Sequence, residues 1–197
     1  VRLLIDPTSS YAQAAAYAMG RAMDDEIISA ALGTSFTGET GSTSTPLPST
    51  QKITESGTGG LTIPKLRTAK EILDLNSVDP SIARFIIVSP RQITDLLGTT
   101  EVTSSDFNTV KALANGEINT FLGFNFIVSN RLSIASSKRK CIAYAMDGIG
   151  LGVGKDVTAR IDERADKGYA TQVYYCASFG ATRMEEEKVV EIQAHEA

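Results

Sequence analysis

The chain has no tryptophan, a single histidine and two cysteines, and each scarcity removes a class of chemistry. With His195 alone, and close to the end of the sequence, the commonest general base is missing, so a Ser-His-Asp or Cys-His site is not expected. His195 reads as a solvated tail residue. Cys141, Cys176 and His195 do not complete a four-ligand zinc site without added carboxylates. The two cysteines lie far apart in strand-like segments and read as free thiols that behave as small apolar residues, with a disulfide left open by spacing alone. No apolar run approaches the ~20 residues that span a bilayer, and no charged-then-apolar start resembles a leader. The formal net charge of -4 lacks the basic surplus of a strong nonspecific nucleic-acid binder. What is present is ordinary for a folded domain: 42% apolar and 21% charged residues over 197 positions, enough to bury a core in one domain or two small ones.

The most distinctive segment is Gly148-Ile149-Gly150-Leu151-Gly152-Val153-Gly154-Lys155, which imitates a phosphate loop. A Walker-type loop needs a glycine, four intervening residues and then Gly-Lys-Ser/Thr. Here Ile149 occupies that glycine's place and Asp156 replaces the hydroxyl. A dinucleotide fingerprint needs a helix directly after the glycines, but Asp156 to Asp162 alternates apolar and polar with the period of a strand. The segment therefore reads as extended chain, with Ile149, Leu151 and Val153 on one face and glycines on the other, where a neighbouring backbone can approach closely. No catalytic, cofactor-binding or metal-binding residue is assigned from it.

Asp6-Pro7 opens a helix with an acceptor at the cap and proline at the first helical position. Tyr11, Ala15, Met19, Met23, Ile27 and Ala31 form an apolar stripe that Ala14, Ala18 and Ala22 widen, and Gly33 ends it. Asp24-Asp25-Glu26 reads as its solvated edge. Residues 34–60, rich in Thr, Ser, Gly and Pro, read as a long surface loop with a flexible hairpin, suited either to contact with another subunit or to disorder. Thr62 caps a second helix carrying Ile63, Leu66, Ala69 and Leu73. A Val78-Asp79-Pro80 turn then leads into the buried strand Arg84-Phe85-Ile86-Ile87-Val88. Ser89-Pro90-Arg91-Gln92 is a capping box for a short helix stopped by Gly98.

Phe107, Val110 and Leu113 suggest another helix, closed by Asn115-Gly116. Phe121-Leu122-Gly123 turns into a strand at Phe124–Val128, and Ser136 to Lys140 reads as a solvated basic turn with no aromatic platform for nucleic acid. Two long strands meet at Asp166-Lys167-Gly168. In the second, Val173, Tyr175, Ala177, Phe179 and Ala181 share a face opposite Gln172, Tyr174, Cys176 and Ser178. Glu185-Glu186-Glu187 reads as a solvated strand end and not as a cation site. Helix first, mixed short elements next and strands last make an α+β chain.

Taken in order, four blocks resemble the major capsid protein of tailed bacteriophages, which has the Hong Kong 97-type fold. They are the Ala-rich helix from Asp6-Pro7-Thr8-Ser9-Ser10-Tyr11, and the helix–strand–Ser89-Pro90-Arg91-Gln92 unit. Asn115-Gly116-Glu117-Ile118 through Phe121-Leu122-Gly123-Phe124 is the third. The fourth is the strand pair from Gly154-Lys155-Asp156 to Gly180-Ala181-Thr182-Arg183-Met184-Glu185. The resemblance implies a long spine helix packed on long antiparallel strands (the peripheral domain) and a mixed α/β axial domain. It divides the chain into residues 1–34 (spine), 35–60 (flexible loop), 61–150 (axial domain) and 151–197 (returning strands), with the loop at Thr99–Asp106 near a capsomer axis.

The family's N-terminal arm and extended loop do not precede the helix here, so the sequence reads as a fragment or a shortened relative, and Val1 as a processing or cloning boundary. The implied function is a structural, non-enzymatic subunit, without cofactors, of a DNA-containing icosahedral shell. Its implied partners are further copies in hexamers and pentamers, scaffolding, portal or decoration proteins, and DNA held by weak nonspecific contact. No membrane is involved, and the implied location is the virion, assembled in the bacterial host cytoplasm. The alternative within the fold is the shell of an encapsulin-like compartment. Outside it stand a nucleotide-dependent enzyme using the glycine run and an adhesion module built on the Thr/Ser-rich loop.

Overall fold

The computed structural model describes residues 8–54, 59–98 and 120–196. The predicted Asp6-Pro7 cap, the helix at Phe107 to Leu113, the Asn115-Gly116 stop and the Thr99–Asp106 loop lie outside them. The chain forms two compact units, one from Val1–Ile27 with Leu151–Ala181 and one from Ile28–Gly150 with Thr182–Ala197.

The larger unit is built on a mixed seven-stranded sheet. Its strands are β3 (Lys52–Ile53), β4 (Arg84–Val88), β5 (Thr120–Phe121), β6 (Phe124–Val128), β7 (Ile134–Ala135), β8 (Lys138–Ala145) and β11 (Val189–His195). They lie in the order β3-β11-β8-β4-β6-β5, with β7 paired to β8. β8 runs antiparallel to both β11 and β4, while β3–β11 and β4–β6 are parallel pairs. The central strands are sealed from water: Cys141, Ile142 and Ala143 of β8 and Val189, Val190 and Ile192 of β11 are all fully buried.

Helix α2 (Ile63–Leu75) covers this core with the predicted face, Ile63, Leu66, Ala69 and Leu73, all buried. Thr62 stands at its cap, but its hydroxyl makes no cap bond. Helix α3 (Pro90–Leu97) starts at Ser89, whose hydroxyl accepts the Gln92 amide N–H at 3.5 Å. Only half of the predicted capping box exists. The Gln92 side chain turns inward and accepts the Leu61 amide N–H at 2.8 Å, tying the entry of α2 to α3.

The Thr/Ser-rich segment is more ordered than a loop. It holds a hairpin, β1 (Ser35–Thr37) with β2 (Thr43–Thr45), and then β3, which extends the main sheet. A two-residue strand paired with a partner some 140 positions away leaves no periodic trace in the sequence, which is why β3 escaped notice.

The smaller unit holds residues 8–27 of α1 (Thr8–Leu32) and most of a ribbon of β9 (Ile149–Arg164) and β10 (Ala170–Arg183). Gly152 meets Gly180 and Gly154 meets Ser178, so the strands are antiparallel. The chain reverses through Asp166-Lys167-Gly168 as the sequence predicts, with Gly168 left-handed at φ 65°. Twenty-five residues at 1.5 Å rise make α1 a rod of roughly 37 Å. Ala12, Ala15, Met19, Met23 and Ile27 are half-buried, and the Tyr175 hydroxyl donates to the Ala12 carbonyl at 3.1 Å, placing β10 against this stripe. The stripe is narrower than predicted: Tyr11, Ala14, Ala18 and Ala22 are all exposed.

Candidate functional site

Three features of the surface bear on function: what anchors the two units internally, what is left uncovered, and whether any pocket holds chemistry.

The anchor of the sheet unit is an ion pair that the sequence reading missed. Arg139, predicted to lie in a solvated basic turn, is buried in β8; the turn itself is Ser136-Ser137, both at positive φ. Its guanidinium grips Glu196 with two bonds, Nε to Oε2 at 2.8 Å and Nη2 to Oε1 at 2.6 Å. Its Nη1 donates to the Leu132 carbonyl at 2.8 Å. Ser89 and Gln92 donate to the same carboxylate at 3.0 and 3.3 Å. The Arg139 guanidinium, helped by Gln92 and Ser89, holds the Glu196 carboxyl down at about 2 against the opposing effect of its partial burial. His195 is likewise no loose tail. It lies in β11 paired with Lys138, its amide donating to the Gly59 carbonyl at 3.0 Å. Charged residues at a strand end next to a buried arginine are the only local signal, and it is a weak one.

A second anchor is Arg183, the last residue of β10. It is buried, has no carboxylate within ion-pair distance among the described residues, and donates to the carbonyls of Ala31, Gly33 and Thr45 at 3.1, 2.7 and 2.9 Å. It caps the C-terminal end of α1, where a cation is favoured by the helix dipole, and ties that end to the β1–β2 hairpin.

The glycine run lies in and just before β9. At Gly148 the close approach predicted from the sequence is real: a Cβ there would sit 2.9 Å from the Lys188 Cβ and 3.1 Å from the Ala145 carbonyl oxygen. No helix follows, so no N-terminus is available for a phosphate. The apolar partners of the glycines are not buried, however. Leu151 and Val153 are exposed, as are Val157 and Ile161 further along the same strand (Ile161 at 53%). With Tyr11 and Tyr17 of α1 (Tyr17 at 70%), the small unit displays more apolar surface than scattered single residues would explain.

Among the described residues, neither of two grooves brings together a catalytic constellation. A groove of about 560 Å³ beside α2 is lined by Lys70, Asp74, Ser81, Arg84, Thr120 and Asn125, and its arginine is already held by Asp74 at 2.7 Å. A shallower polar groove of about 390 Å³ on the ribbon is lined by Lys155, Thr158, Arg160, Asp162, Gln172 and Tyr174. Among the described residues no three His, Cys, Asp or Glu side chains converge to hold a metal, and no helix is long and apolar enough to cross a membrane. Glu185 is exposed, and Glu185 and Asp147 both pair with Lys188, at 3.0 and 2.6 Å.

The model of the phage capsid protein family matches residues 1–196. The chain belongs to that family. Its capsid membership assigns it a structural and not an enzymatic role. Solved structures agree on the fold. A chain of Mycobacterium phage Che8 superposes with a TM-score of 0.71 at 16% identity, over 92% of this chain and 61% of that one. The capsid of the cyanophage P-SCSP1u gives 0.70 at 20% identity, over 99% and 68%. An encapsulin complex from Synechococcus elongatus gives 0.62 at 10% identity, over 99% and 68%. This capsid family chain thus spans between three fifths and seven tenths of these longer chains. The α+β architecture is the Hong Kong 97-type fold expected from the sequence. No curated protein sequence matches it.

Proposed function

We propose that this chain is the structural subunit of a phage icosahedral shell, assembling with its own copies into hexamers and pentamers that enclose DNA. The observation that supports this most is the family match along residues 1–196. In this reading α1 is the spine of the peripheral domain, β9 and β10 are the strands beside it, and residues 61–150 form most of the axial domain. Assembly takes place in the bacterial host cytoplasm, and the shell has scaffolding, portal or decoration proteins as further partners.

The physical demands of such a role match the surface. A tiling subunit needs a rigid body and edges that repeat near-symmetric contacts, and it needs no catalytic cluster. The seven-stranded sheet supplies rigidity, and the exposed apolar residues of β9 and α1 supply surface for contact. A net charge of -4 suits a wall that holds DNA weakly, because tight phosphate binding would hinder both filling and ejection.

The second reading, an encapsulin-like compartment, draws on the encapsulin match at a TM-score of 0.62. Electron microscopy of the full-length gene product tests both. Closed shells or rings are expected, and a stable monomer at high concentration overturns the proposal. Shells purified from cells that enclose a protein cargo and no nucleic acid favour the compartment.

A further inference from the structure

On the polar face of the ribbon, the Lys155 ammonium nitrogen lies 3.9 Å from the Cys176 sulfur. Lys155 meets no carboxylate within ion-pair distance among the described residues; its recorded partner is this thiol. The register explains the meeting. Gly152 stands opposite Gly180 and Gly154 opposite Ser178, which sets Asp156 opposite Cys176 and Lys155 one position away, within reach of its long side chain. Tyr174 lies two positions away on the same strand, and the neighbouring Cys176 raises its phenol above its usual range. Lys155 and Tyr174 also line the open polar groove, so small oxidants reach the pair from solvent. Cys141 differs in every respect: it is fully buried in β8, and burial pushes its thiol up to about 12, which makes it inert.

We infer that Lys155 and Cys176 form an oxidative cross-strand link, a nitrogen–oxygen–sulfur bridge that closes when the protein meets dioxygen and reopens under thiol reductants. The balance is simple. The ammonium first gives a proton to solvent. Then the amine, the thiol and one dioxygen molecule yield the bridge and one water. One oxygen atom is inserted between nitrogen and sulfur. The other leaves as water with the thiol hydrogen and one amine hydrogen. Nitrogen and sulfur each give up two electrons, and dioxygen accepts all four.

Such a link ties β9 to β10 across 21 positions of sequence. It constrains the open chain as a disulfide does, in a two-stranded ribbon, the kind of sheet least able to stand alone. The inference is independent of the shell reading, because it needs only the ribbon.

The test is mass spectrometry of the full chain, purified under dithiothreitol and then held in air-saturated buffer. The expected product is heavier by one oxygen less two hydrogens, maps to joined peptides containing Lys155 and Cys176, and reverts with dithiothreitol. It is lost completely in Cys176→Ser and in Lys155→Arg, a variant that keeps the charge and leaves the thermal melt of the reduced protein unchanged. Oxygen additions confined to Cys176 with Lys155 free, an intermolecular disulfide at Cys176, or two unmodified side chains would each overturn it.

Discussion

The sheet unit and the ribbon unit use the same residue types to opposite ends. In β8 and β11 the aliphatic side chains are fully buried, and charges among them are answered: Arg139 by Glu196, and Lys140 by Glu191 at 3.9 Å. In β9 the apolar side chains Leu151, Val153, Val157 and Ile161 stand in solvent, and α1 is apolar around most of its circumference while exposed over much of it. A helix of that kind is normally buried. The sheet unit has thus satisfied its own surface, whereas the ribbon unit has surface still to cover. On the proposed shell role, we infer that this asymmetry divides the labour: one region holds the fold and the other is kept for neighbours.

The comparison can be attacked from the core outward. Ile142→Ala removes a fully buried side chain from the centre of the sheet and is expected to cost about 2–5 kcal/mol. Denaturant unfolding measures this, and a loss under about 1 kcal/mol would show that the sheet is not the main source of stability. Arg139→Ala leaves the Glu196 carboxylate in its pocket without a cation and should cost about 3 kcal/mol. Glu196→Gln keeps the shape and should cost less.

The same pair gives a pH dependence. The folded-state value of Glu196, about 2, lies below its ordinary 4.5. The stabilisation is therefore fully present above about pH 4.5 and is lost as pH falls toward 2. Its size is roughly 1–3 kcal/mol. Acid titration of the melting temperature should show this loss in the natural sequence and a flatter curve in Glu196→Gln; parallel curves would remove Glu196 from the account.

The ribbon predicts the reverse pattern. Val157→Thr and Ile161→Thr should change the monomer's stability by less than about 0.5 kcal/mol while weakening assembly seen by sedimentation. A large loss of stability with assembly intact would mean that these side chains serve the fold. A modest gain is expected at the β7–β8 turn. Ser136 and Ser137 both sit at positive φ, so Asn-Gly in their place should stabilise by about 0.5–1 kcal/mol.

Local features were read well from the sequence because they rest on near neighbours. The α2 face, the Arg84–Val88 strand, the Leu122-Gly123 and Gly168 turns and the β10 alternation all follow from spacings of a few residues. What escaped depends on distant pairings. β3 gains its identity from β11, Arg139 is buried because Glu196 reaches it, and Gln92 leaves its capping box because Leu61 offers an amide. The exposed stripe of β9 teaches the converse. Its alternation predicts a strand correctly, but periodicity says nothing of whether the apolar face is covered within the chain or outside it. The glycine run illustrates both sides, since only Gly148 and its neighbour Gly150 are closely packed (3.0 Å from the Met184 sulfur at the latter).

The division of labour is tested most directly by hydrogen exchange of the full-length protein before and after assembly. The amides of β8 and β11 should be protected in both states, and those of residues 151–181 should exchange quickly in the free subunit and slow markedly in the assembled shell. Equal protection of the ribbon in both states would contradict the claim that this surface is completed by neighbouring subunits.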